Sequence, residues 1–107
     1  MLHIKDNTMS MVRKDTGTFE FSVENYTLTT GDTVYFTVAE DVGSKQKVIQ
    51  KVVTEFNNGV AQFSISATDS DIEPGTYVYD IQVNRADGQV DTVIGPAKFK
   101  VIEGVTF

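Results

Sequence analysis

The side chains able to do chemistry in this 107-residue sequence are a single histidine, fifteen carboxylates, nine lysines and arginines and four tyrosines, with no cysteine. A nucleophilic serine or threonine needs a histidine base oriented by a third group. His3 stands between Leu2 and Ile4 near one end of the chain and reads as an exposed strand residue. The lack of cysteine removes thiol chemistry, disulfides and the Cys/His zinc sets. No nucleophile elbow and no phosphate-cradling glycine loop occurs. Paired carboxylates can work as general acid and base, and Glu20 with Glu24, or Asp80 with Asp91, are candidate pairs. Both read more simply as solvated charges on the outer faces of sheets. Asp80 differs in being flanked by Val78 on its face, which leaves room for a partly covered carboxylate paired with a lysine or a backbone donor. In "DSDIE" the acids Asp69, Asp71 and Glu73 alternate as hard-cation ligands can, yet the further ligands of a calcium loop are missing. No metal or cofactor is therefore expected. Lys45, Lys47 and Lys51 form the one basic cluster, suited to an acidic partner or an anionic glycan, or to guarding a sheet edge.

The elements that position these residues are strands. Alternation of period two recurs between turn residues, and no stretch reads as a long amphipathic helix. In "TFEFSVE", Phe19, Phe21 and Val23 share one face; in "TVYFTVAE", Val34, Phe36 and Val38 point inward and Thr33, Tyr35 and Thr37 outward. "KQKVIQKVVTEF" puts Lys45, Lys47 and Lys51 on the face of Ile49 and Val53, a mixed pattern typical of an edge. "NNG" at 57 to 59 supplies a tight turn into "VAQFSISA", with Phe63 and Ile65 inward. Thr68 and Asp71 suggest one capped helical turn before Pro74 and Gly75 redirect the chain.

In "GTYVYDIQV", Tyr77, Tyr79, Ile81 and Val83 take the core face, and Val78, Asp80, Gln82 and Asn84 the other. The next turn is either Asp87-Gly88 alone or "RADG"; both are even in length, so both put Val90, Thr92 and Ile94 beside the tyrosines and Asp91 opposite. Ala97, Phe99 and Val101 then reverse the parity, which requires one extra residue near Gly95 and Pro96. The expectation is one domain over residues 1–107, all-β, with about seven to eight short antiparallel strands.

A chain of this length buries enough surface to fold without a staple. Its net charge of −6 repels a phosphate backbone, so no nucleic-acid partner is expected. No apolar run approaches the roughly 20 residues that span a bilayer, and "MLHIKDNTMSMVRKD" lacks a signal-peptide pattern, so the mature chain is expected to begin at Met1 with no membrane partner.

"DIEPGTYVYDI" resembles the tyrosine corner of immunoglobulin-like sandwiches: Pro74 and Gly75 make the bend, Tyr77 is the corner tyrosine, and Tyr79 stands where antibody domains carry a disulfide cysteine. Tyr79 and Ile81 then fill the space between the sheets. Over most of the chain, "VRKDTGTFEFSV", "LTTGDTVYFTV", "GTYVYDIQV" and "DGQVDTVIGPAKFKV" resemble the N-terminal domain of siphophage baseplate upper proteins. That resemblance implies an immunoglobulin-like β-sandwich with no catalytic residues, a structural module of a phage or prophage tail baseplate in the virion. It further implies that the module binds other baseplate proteins through sheet faces or edges and associates with copies of itself. It transfers no site residue. The surface it leaves for partners is Lys45, Lys47, Lys51, Tyr35 and Asp80. The rival reading is a cell-surface carbohydrate-binding module that stacks sugars on Tyr35 and the loop residue Tyr26.

Overall fold

The computed structural model describes residues 2–44 and 46–105; Met1 and Lys45, and the expectations attached to them, lie outside the described residues. The chain is all-β, with eight strands and no helix among the described residues. In order they are β1 (Leu2–Lys5), β2 (Thr8–Val12), β3 (Gly17–Phe21), β4 (Thr33–Ala39), β5 (Lys47–Val53), β6 (Ala61–Ile65), β7 (Gly75–Asn84) and β8 (Val90–Ile102). Six form a sheet in the order β1-β2-β8-β7-β4-β5, and β3 pairs with β6 in a second.

Alternation dictates the core. Phe19 and Phe21 of β3, Val34, Phe36 and Val38 of β4, Phe63 and Ile65 of β6 and Tyr79, Ile81 and Val83 of β7 are all buried. Phe36 sits at the centre, edge-on to Phe19 at 5.0 Å between ring centroids and within 6.2 Å of the Phe63, Tyr79 and Phe99 rings. Edge-to-face and tilted arrangements suit the ring quadrupole and add to the area each ring removes from water.

One pairing departs from the antiparallel expectation. β1 and β2 form a hairpin across Asp6 and Asn7, both at positive φ as a two-residue type I′ turn requires. β2 then runs parallel to β8, with Met9 beside Phe99 and Met11 beside Val101. The chain must cross between sheets to reach β3, so β2 approaches β8 from the other direction than a hairpin partner would.

The β7–β8 hairpin also corrects the expected parity. Asn84 pairs with Val90, and the Arg85 amide donates to the Gln89 carbonyl at 2.7 Å, which leaves an odd, three-residue loop of Ala86, Asp87 and Gly88. Val90 and Thr92 therefore face outward, and Asp91 lies opposite Val83. Val93 is an extra residue that restores Ile94 to a place opposite Ile81, and Gly95 with Pro96 opposes Asp80 alone in a second bulge. The hairpin thus absorbs two residues where one was expected. The turn at 57 to 60 is tight, with Asn58 and Gly59 at positive φ, but the strands that it joins belong to different sheets. The expected single helical turn forms, closed by the Ser70 amide on the Ser66 carbonyl and the Asp71 amide on the Thr68 carbonyl, both at 3.2 Å, but Thr68 and Asp71 are not its capping pair. Ser66 and Asp69 cap it instead: the Ser66 amide donates to the Asp69 carboxylate at 2.8 Å and the Asp69 amide to the Ser66 hydroxyl at 3.0 Å.

Candidate functional site

Strand register fixes what the outer face of the large sheet presents. Tyr35 on β4 lies between Val52 on β5 and Gln82 on β7; one step along, Thr37 lies between Gln50 and Asp80. Lys47 and Val78 flank Ala39 in the next row, and Asn84 stands opposite Thr33 in the row beyond Gln82. These side chains and the 41–44 loop surround a shallow depression of about 500 Å³. Within it the Gln50 amide donates to the Thr37 hydroxyl at 3.2 Å.

The expected surface residues divide. Tyr35, Lys47 and Asp80 meet at the depression. Lys51 lies opposite Phe36 on the inner side of edge strand β5, and its ammonium pairs with Asp69 at 2.7 Å. An inward-pointing lysine on an edge strand protects that edge against pairing with another chain. Burial works to raise the Asp69 carboxyl, but the Lys51 partner and the Ser66 donors outweigh it and hold it below its ordinary value.

Asp80 and Asp91 do not form the candidate carboxylate pair. They lie on opposite faces, and Asp91 sits 3.6 Å from the Arg85 guanidinium. Glu20 and Glu24 are both exposed. The acids of "DSDIE" diverge, with Asp69 on Lys51 and Asp71 on Arg13 at 2.9 Å. No group of three or more metal-ligating side chains gathers among the described residues. His3 is exposed on β1.

At the bend before β7, Pro74 and Gly75 are exposed and the Tyr77 hydroxyl donates to the Glu73 carbonyl at 2.6 Å. Burial, with Glu40 and Glu73 nearby, raises the Tyr77 phenol above its ordinary value. Tyr79 and Ile81 are buried, and the Tyr79 hydroxyl reaches across to the Asn7 carbonyl in the β1–β2 turn.

Sequence reasoning missed Asp32. This buried carboxylate accepts from the Tyr26 hydroxyl at 2.7 Å, the Thr29 amide at 3.0 Å and the Ala86 amide at 2.9 Å, and so ties the loop before β4 to the β7–β8 turn. Gly31 makes the approach possible: at φ 101°, a Cβ there would stand 2.9 Å from that of Ala86. The bond to Asp32 pushes the Tyr26 phenol up. Arg85 lies over the Tyr26 ring at 4.0 Å, so that ring is occupied by a cation and is no open stacking platform. The only signal in the sequence was "TTGD", which marks a turn without revealing what its acid will hold.

No protein-family model matches the chain, and no curated protein matches it.

Proposed function

We propose that the chain is an immunoglobulin-like β-sandwich that serves as a non-catalytic assembly module of a phage or prophage tail baseplate. The carrying observation is the Tyr77 hydroxyl bond to the Glu73 carbonyl, four residues upstream, at the crossover into β7. A corner tyrosine makes that bond in immunoglobulin-like sandwiches, and it lies in the run that carries the resemblance to baseplate upper proteins. The strand order supports the same reading. β8, β7 and β4 correspond to the G, F and C strands, β5 to an added C′ strand, and β3 and β6 to B and E. Partners have sheet faces and edges to bind: Val52 on β5, Val90 and Val93 on β8 and Ile4 on β1 are apolar and exposed.

Co-expression with the products of neighbouring genes, followed by sedimentation, tests the proposal. The expected result is a complex with a tail component or a homo-oligomer. A chain that sediments only as a monomer and binds no tail component overturns it.

A further inference from the structure

We infer that the depression on the outer face of the six-stranded sheet is a binding site for a neutral saccharide, held over Asp80 with Tyr35 at one side. The inference stands apart from the assembly reading, since it concerns a small ligand on one face and not the partners of the module.

Asp80 is unlike the other acids placed above. Asp32 accepts three hydrogen bonds, and Asp69, Asp71 and Asp91 each face a cation. Among the described residues Asp80 has no hydrogen-bonding or ionic partner, although it is half-buried. Gln82 and Asn84, beside it on β7, are likewise half-buried without partners, and the Asn84 Oδ1 atom is fully shielded and unsatisfied. Half-buried polar groups without protein partners take them from water or from a ligand. Here three stand in one concavity.

The bulge keeps the place open. Where an ordinary ladder would set a side chain opposite Asp80, β8 has Gly95 and Pro96. A Cβ at Gly95 would come within 2.7 Å of the Asp80 Cβ and 2.6 Å of the Tyr79 carbonyl, so only glycine leaves that flank clear.

The lining fits a sugar. Planar carboxylates and amides can engage two neighbouring hydroxyls at once, with the amides offering both donor and acceptor, and a tyrosine ring offers an apolar face to the ring C–H groups of a pyranose. Strands about 4.8 Å apart, with same-face residues about 6.8 Å apart along each, spread Gln50, Thr37, Asp80, Tyr35 and Gln82 over the area of one or two sugar rings. The volume of about 500 Å³ lies within the usual range of small-ligand sites. Charge selects against acidic sugars: Lys47 is the one described cation in the lining, set against Asp41 and Asp80 in a chain of net charge −6. A second copy of the chain is a poorer fit, because the cores of protein interfaces are dry and apolar, and this one is floored by a carboxylate and amides.

The test is a screen of neutral and acidic oligosaccharides on a glycan array, followed by amide chemical-shift mapping of the whole chain with the strongest neutral hit. Binding should move the signals of residues 35, 37, 80 and 82 together. Asp80→Ala and Tyr35→Ala should each weaken it at least tenfold, Tyr35→Phe should keep most of it, and Gln62→Ala, at an exposed position of β6 in the other sheet, should leave it unchanged. Unfolding midpoints of the variants separate lost binding from lost fold. Four results overturn the inference: no neutral glycan bound at millimolar concentration, a preference for acidic glycans, binding indifferent to Asp80→Ala in a folded variant, or outer-face shifts that grow with protein concentration alone.

Discussion

Asp32 is the residue on which the loop end of the molecule depends. Its replacement by alanine leaves the part-buried Thr29 and Ala86 amides and Tyr26 hydroxyl without their acceptor, and should cost about 3 kcal/mol in urea unfolding, the range for losing hydrogen bonds to a buried charged acceptor. Asp32→Asn fails differently, because an amide must turn a donor toward one of those donors. Its charge state carries a pH signature. Burial acts to raise the Asp32 carboxyl, but the three hydrogen bonds and Arg85 prevail and hold it below the ordinary value. A depressed folded pKa contributes stability that is complete above the unfolded value of about 3.9 and vanishes as pH falls through the lower folded one. Acid titrations of unfolding free energy should therefore slope downward below about pH 4, and less steeply in Asp32→Asn. Tyr77→Phe is the milder case: it removes one hydroxyl bond to Glu73 and should cost about 1 kcal/mol. Tyr77 could be singled out from a local motif, Pro-Gly followed by a tyrosine opening a strand. Asp32 could not, because two of its partners, Tyr26 and Ala86, are set by loop packing, and Ala86 lies 54 residues away.

At the scale of elements, alternation made most strands readable, since one buried face and one wet face force a period of two. It failed where residues are inserted. The odd loop of Ala86, Asp87 and Gly88 and the extra Val93 each reverse the faces, and Val90 and Thr92 end up outside for that reason. Asp6-Asn7 was a readable type I′ turn that short flanking strands concealed. The outer-face depression was legible only in part: β4 and β7 gave Tyr35 and Asp80 their faces, but their adjacency needed the β4–β7 pairing, which no local pattern encodes. Gly95→Ala tests the bulge. With φ at 109° and a Cβ forced to 2.6 Å from the Tyr79 carbonyl, the variant should lose about 3 kcal/mol, read as a lower urea midpoint. Lys51→Val tests the edge. Removing the inward charge frees Asp69 and leaves β5 open to another chain, so the variant should self-associate more strongly than the parent as concentration rises in sedimentation.

For the whole molecule, the consequential feature is the β1–β2 hairpin, because it closes the large sheet from outside the β7–β8 hairpin. β2 pairs with the flank of β8 that β7 leaves free, and it sends Met9 and Met11 into the core at 2% and 1% exposure. β1 comes so close to β3 that a Cβ on Gly17 would meet the Leu2 Cβ at 2.7 Å, which links the two sheets at that corner. The Tyr79 hydroxyl, from the middle of the core hairpin, bonds to the turn between β1 and β2. Removing residues 1–12 would therefore strip two buried methionines, a strand partner and a hydrogen-bond acceptor together. Each large apolar side chain deleted from a core costs about 2–5 kcal/mol, against a total stability of about 5–15 kcal/mol for a domain of this kind. The truncated chain should lose its cooperative unfolding transition or associate through the exposed edge of β8. Addition of a peptide of residues 2–12 should restore the transition, because parallel pairing with β8 needs the strand and its methionines, not the covalent link through residues 13 to 16. A truncated chain that unfolds cooperatively at the parent midpoint would show that β3–β8 form a sufficient core without the hairpin.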